Sequence, residues 1–195
     1  NKYIQAVNPE KIYVAKNVNV SPNIVLDATD GYIYIDEKVT IESFVYIKGP
    51  VYIGKNAEIM EGCLIRGSFA MGENSCLKMG SKVYGATTLG PGCVVGGEIK
   101  NSVLFGYSNK AHDGYLGDSV IGEWCNMGAG TTNSNLKNNA SDVKIWTPKG
   151  EMNAGMKCGV IMGDYSRTAV NTSINTGTVI GVSCNVFGYG LTPKY

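Results

Sequence analysis

The chain has 195 residues, with 17 Lys and Arg against 16 Asp and Glu, and so a net charge of +1. That balance, with no Lys/Arg run, argues against a nucleic-acid surface. No apolar run approaches the ~20 residues of a membrane-spanning helix.

In chain order, residues 1–13 read as a lead-in. Val14, Val20 and Leu26 then begin a six-residue register that slips near Asp30–Gly31. From Ile35 the register is unbroken: Ile41, Ile47, Ile53, Ile59, Ile65, Met71, Leu77, Val83, Leu89 and Val95 follow at steps of six. A helix needs a period of 3.6 and a simple strand a period of 2. A period of six predicts an all-β hexapeptide-repeat solenoid, a prism of short strands joined by turns. The aliphatic residue points inward. A second inward residue follows four positions later and is small where the core is narrow: Ala57, Cys63, Ser75, Ser81, Thr87, Cys93, Cys125, Ser166, Thr172, Thr178 and Cys184, with Phe69 the exception. Gly often follows the aliphatic residue, as at Gly54, Gly72, Gly90, Gly128 and Gly163, where tight corners and positive φ suit it.

The register breaks twice, so two loop excursions are expected. The first, about residues 104–115, is the polar stretch FGYSNKAHDGY. The second, about 133–157, is Asn-rich, with a piece of coil at Val143–Ile145 and a hairpin-like turn at TPKGE. Coils return at Ile121 and Met127, and again from Met162 to Val186; residues 189–195 form a tail without register and without an obvious cap. The shared phase predicts a single β-helix domain over residues 1–195. Cysteines on inward positions read as packed thiols, and the absence of a CxxC pair speaks against structural zinc. Reduced thiols suit the cytoplasm. Excursions from a strict repeat are where chemistry is sought, and the single histidine of the chain, His112, lies in the first.

The stretch Gly97–Asn135 resembles the acetyltransferase domain of bifunctional glucosamine-1-phosphate acetyltransferase/uridylyltransferases, which carry KAxHLxYLGDxxIGxxxNxGAGTxxxN. Lys110, Ala111, His112, Tyr115, Leu116, Gly117, Asp118, Ile121, Gly122, Asn126, Gly128, Ala129, Gly130, Thr131 and Asn135 match, with one residue missing between Ala111 and His112. The hexad resemblance covers nearly the whole chain. It implies a left-handed parallel β-helix and, before residue 1, a nucleotidyltransferase domain, so that the chain is a C-terminal part of a longer protein.

By this resemblance His112 is the general base for a sugar amine, and Glu98 the carboxylate that orients it. A neutral imidazole accepts a proton as an amine attacks a thioester. Lys100, Tyr115 and Asn126 correspond to residues that hold the sugar phosphate. Lys78, in Lys78-Met79-Gly80, stands where the family has an Arg-Pro-Gly corner, and a lysine offers a point charge rather than a fork. Asn135 lies near the acetyl group, and Ala129 and Gly163 line the groove for acetyl-CoA, the expected co-substrate. No metal is expected. The implied partners are a small sugar phosphate and two further copies in a homotrimer. Two other readings compete. A non-catalytic β-helix could assemble or regulate a sugar-phosphate nucleotidyltransferase. A γ-type carbonic anhydrase needs three zinc-bound histidines, and one histidine excludes it.

Overall fold

A computed structural model describes residues 4–195. The fold is the left-handed parallel β-helix expected. Its strands stack into three long parallel sheets, faces A, B and C of a prism, with seven, nine and nine strands. Face A runs from Ile4–Val7 to Tyr115–Gly117, face B from Ile12–Val14 to Val179–Ile180, and face C from Asn19–Val20 to Asn185–Val186. In the regular coils Ile47 pairs with Ile65, and Ile65 with Val83, each eighteen residues on. Three hexads therefore close one turn. Every aliphatic residue of the register from Ile35 to Val95 is 0–1% exposed.

The lead-in is already helix. Ile4–Val7 pairs with Ile24–Asp27, and Ile12–Val14 with Ile33–Ile35, so residues 4–14 build the first coil. Residues 1–3 of the expected lead-in lie outside the described residues.

The small inward residues have a second reason to be there besides space. Turns leave carbonyls pointing into the prism, and buried carbonyls need donors. The Ser75 hydroxyl donates to Gly90 O (2.9 Å), Ser108 to Gly122 O (2.8 Å) and Ser166 to Gly181 O (2.7 Å). The Cys63 thiol donates to Lys78 O (3.1 Å), and burial pushes its pKa up to about 11. The six cysteines are free.

The corner glycines serve close approach rather than positive φ. Coils lie only ~4.8 Å apart, and a Cβ on Gly90 would stand 1.6 Å from Phe105 O. The left-handed backbone falls two residues later, on Asn56, Asn74 and Gly92, where a short amide or no side chain is least strained.

The segment expected as the first excursion does not leave the prism. Val103–Gly106 and Asn109–Lys110 remain paired in faces B and C. The register breaks because corners are shortened: the inward positions run Val95, Ile99, Leu104, Lys110, Leu116, Ile121, and each of these residues is buried. From Phe105 to Lys110 exposed and buried residues alternate, the period of a strand.

The second break is a true insertion. The chain leaves after Asn135 and returns at Cys158, whose N–H donates to Asn135 O (3.0 Å). Between them Lys144–Ile145 and Met152–Asn153 form an antiparallel hairpin. Residues 143–145 are thus one arm of the hairpin, not a coil of the prism. Val143 and Ile145 are buried, and a Cβ on Gly177 would stand 2.5 Å from Val143 Cγ1. The tail is ordered against the end of the helix: Thr192 N donates to Ser173 O (3.0 Å), and Val179 N to Lys194 O (2.7 Å). It covers strand edges that solenoid ends otherwise expose.

Candidate functional site

The three faces differ in what they show to solvent. A typical strand of face A buries its middle residue and turns both ends outward, as in Leu64–Arg66. A typical strand of face B does the reverse, as in Val51–Ile53. Face A therefore presents two outward columns. One stacks Tyr46, Leu64, Lys82, Glu98 and Tyr115; the other stacks Lys48, Arg66, Tyr84, Lys100 and Gly117.

Glu98, Lys100 and Tyr115 thus meet on face A. The Tyr84 hydroxyl donates to Glu98 Oε1 at 2.5 Å, and this bond, followed by burial, pushes the Tyr84 phenol up to about 12. The Lys100 ammonium lies 5.7 Å from the centroid of the Tyr84 ring, within cation–π range. Tyr115 is half-buried, and burial is the main reason its pKa is raised. Asn135 Nδ2 donates to Tyr115 Oη (3.0 Å) and to the Asp118 carboxylate, which also accepts from Asn101 Nδ2 (3.2 Å). This amide network ties the root of the inserted hairpin to the edge of face A.

His112 occupies the corner between faces C and A, between Asn109–Lys110 and Tyr115–Gly117. Its side chain is exposed. Next to it, Asp113 O accepts from Gly130 N (3.1 Å), so the coil holding Ala129 stacks directly on this corner. Among the described residues the Glu98 carboxylate is engaged by Tyr84, and no hydrogen bond joins it to the His112 imidazole. Lys78 sits on the same corner two coils earlier and is half-buried; its Cβ would be 3.3 Å from a Cβ on Gly96. Asn126 stands on face C, paired with Asn109 and Arg167. Gly163 lies at the corner between faces B and C. Neither shares face A with the other candidates.

Two concavities lie along face A. One, about 290 Å3, is lined by Gly80, Lys82, Gly97, Glu98, Asp113, Gly114 and Tyr115. The other, about 530 Å3, includes Arg66, Lys82, Tyr84 and Glu98. Lys82 and Glu98 are common to both, so they form one trough. Arg66, Lys82 and Lys100 join none of the ion pairs among the described residues. Sequence reasoning missed Arg66, Lys82 and Tyr84. Their signal was the out-in-out pattern of face A, which puts Arg66 and Tyr84 in the column of Lys100. Lys78, taken as the counterpart of the family's arginine, lines neither concavity. No group of His, Cys, Asp and Glu among the described residues is arranged to hold a metal ion.

No family model matches the chain. Among curated proteins it is 36% identical over 87 residues to "Bifunctional protein GlmU" of Methanocaldococcus jannaschii, covering 45% of this chain and 21% of that protein. It is 36% identical over 91 residues to "Bifunctional sugar-1-phosphate nucleotidylyltransferase/acetyltransferase" of Sulfurisphaera tokodaii, covering 46% and 23%. The likeness read from the motif is therefore present among curated proteins. The chain spans about a fifth of the length of the curated relatives it matches. Among solved structures it resembles UDP-N-acetylglucosamine acyltransferase of Francisella novicida, at 15% identity and a TM-score of 0.46, covering 96% of this chain and 62% of that one.

Proposed function

We propose that this chain is an acetyl-CoA-dependent N-acetyltransferase domain acting on an amino-sugar phosphate. The observation that carries the reading is an exposed histidine on a corner next to a trough of unpaired cations, a carboxylate and a tyrosine. In this reading the acceptor amine attacks the thioester carbonyl and the N–C bond forms. His112 takes the amine proton, the C–S bond breaks, and the departing thiolate receives that proton. Lys100, with Lys82 and Arg66, neutralises the acceptor phosphate. Tyr115 holds the acceptor, while Asn126 stands on face C outside this trough. Glu98 acts once it leaves Tyr84 for the imidazole, since catalytic hydrogen bonds often tighten only with substrate bound. Ala129, Asn135 and Gly163 serve the acetyl-CoA side, and Lys78 stays a second cation at the corner.

A homotrimer belongs to the same reading. One outward column of face B, which includes Tyr13, Tyr34, Tyr52, Ala70, Val120 and Ile161, carries no charge, which suits an interface. The Glu98–Tyr84 bond favours a second reading, a non-catalytic assembly module of a sugar-phosphate nucleotidyltransferase.

Thiol release from acetyl-CoA, with glucosamine 1-phosphate as acceptor, separates the two. Acceptor-dependent release that disappears in His112→Ala supports transfer. No release from the wild type, with no acetyl-CoA binding by calorimetry, leaves the assembly module.

A further inference from the structure

Thr168 and Asn133 are polar at aliphatic positions of the register, but among the described residues Lys110 alone puts a charged side chain there. It occupies an aliphatic position of the register, paired with Val95 on one side and one coil below Met127 on the other. It is 2% exposed. Its ammonium donates to His112 O at 2.7 Å and to Gly96 O at 3.2 Å.

Other coils handle this corner without charge. Where the chain turns from face C to face A, Lys78 O accepts from the hydroxyl of Ser81 and the thiol of Cys63. Further up, Ala169 O accepts from Thr172 Oγ1 (2.7 Å) and Thr131 Oγ1 (3.2 Å). Three coils lie between, and in the first two of them the small polar residue is missing. The corner Gly96–Gly97 is too short to contain it, because Val95 and Ile99 are only four residues apart. In the next coil Gly114 takes its place. Two inward carbonyls would be left bare, and a buried carbonyl without a donor carries its full desolvation cost. The Lys110 side chain, in the coil of His112 and one coil above Gly96, reaches both.

We infer that Lys110 is a positioning residue for the transfer proposed above: by bonding the carbonyls of Gly96 and His112 from inside the prism, it fixes the corner from which the His112 side chain projects. The inference rests on the transfer reading. A serine or threonine satisfies such a carbonyl elsewhere in this fold at no charge cost. The lysine adds a bond to the carbonyl of the histidine residue itself. That bond sets the peptide plane after His112, and with Gly130 N on Asp113 O it holds the corner from two sides. A local rule broken in an otherwise consistent repeat is where function is expected.

The test compares wild type with Lys110→Met, whose side chain suits a slot between Val95 and Met127. The first readout is amide hydrogen exchange at Glu98 and Gly130, whose N–H groups donate to this corner at Gly114 O and Asp113 O. Exchange there should quicken at least tenfold, while the Leu64 amide, which donates to Ser81 O, stays unchanged. The second readout is kinetics: kcat should fall at least tenfold with both KM values within twofold of wild type. Lys110→Gln, which keeps a shorter donor, should recover part of both effects and serves alone if Lys110→Met does not fold. Unchanged exchange at Glu98 and Gly130 overturns the inference. So does faster exchange with unchanged kcat. A wild type without any transfer overturns the transfer reading and with it the catalytic role, and exchange then decides separately whether Lys110 holds the corner.

Discussion

Burying Lys110 makes the stability of the prism depend on alkaline pH. Desolvation lowers the Lys110 pKa from 10.5 to about 8, while nearby Asp113 acts in the opposite direction. A gap of this size between unfolded and folded chain corresponds to ~3 kcal/mol. The sign follows from proton binding. Between pH ~8 and ~10.5 the unfolded chain holds a proton that the folded chain has released, so stability rises with pH across that window. Below pH ~8 both states are protonated and the full penalty of burying the charge is present. Lys110→Met removes the ionisable group. Relative to Lys110→Met, the wild type should therefore gain ~3 kcal/mol of unfolding free energy between pH 8 and 10.5. The two bared carbonyls weaken the variant by about 1–3 kcal/mol each, but that contribution does not change with pH. Urea unfolding of both proteins at half-unit pH steps, under reducing conditions, reads the difference directly. Other lysines, tyrosines and thiols titrate alike in both and cancel. A difference that stays flat from pH 7 to 10.5 refutes a desolvated ammonium at this position.

Three further outcomes are expected. Gly90→Ala should destabilise the fold by at least about 3 kcal/mol in urea unfolding, because its Cβ would run into the Phe105 carbonyl; Gly181→Ala, which meets only Cys184 Sγ at 3.4 Å, should change stability by less than about 1 kcal/mol. Glu98→Gln should bring the Tyr84 phenol down from about 12 towards 10, since the carboxylate bond is the first cause of its rise; ring-carbon NMR of labelled tyrosine reads the change. Deleting Gly190–Tyr195 removes the bonds of Thr192, Pro193 and Lys194 to Ser173, Asn175, Thr178 and Val179. At about 1 kcal/mol each, this should lower stability by a few kcal/mol and favour self-association, seen by light scattering.

The prism was legible because its core depends on one repeated constraint: an aliphatic side chain every sixth residue must fill a narrow interior. The hairpin turn at TPKGE was legible too, since Thr147 and Gly150 close it by mutual backbone bonds. The stretch from Phe105 to Lys110 was misread because its inward residues are Gly, Ser and Lys. A hydropathy pattern cannot see a strand whose buried positions are polar; only the alternation itself could have revealed it. The tail was misread for a related reason. It covers the helix end with backbone and hydroxyl bonds rather than with a repeat.

The candidate site shows the same limit more sharply. The motif located His112, but the partners of a site on a solenoid come from neighbouring coils, and their sequence distance depends on how long each coil is. The coil from Lys82 to Glu98 takes sixteen residues where the coil from Leu64 to Lys82 takes eighteen. Counting in fixed steps therefore drifts at the place where corners shorten. Matching Lys78-Met79-Gly80 to the family's Arg-Pro-Gly corner put Lys78 at the phosphate and passed over Arg66, which stands two coils below Lys100 in one column of face A. At Gly96 the shortening also removes the hydroxyl that quiets the corner carbonyl elsewhere, at His112 Gly114 stands in its place, and a buried lysine serves both carbonyls beside the single histidine. The peculiarity of the site thus has two neighbouring origins, the loss of corner residues between Val95 and Leu104 and the glycine at 114 in the coil above.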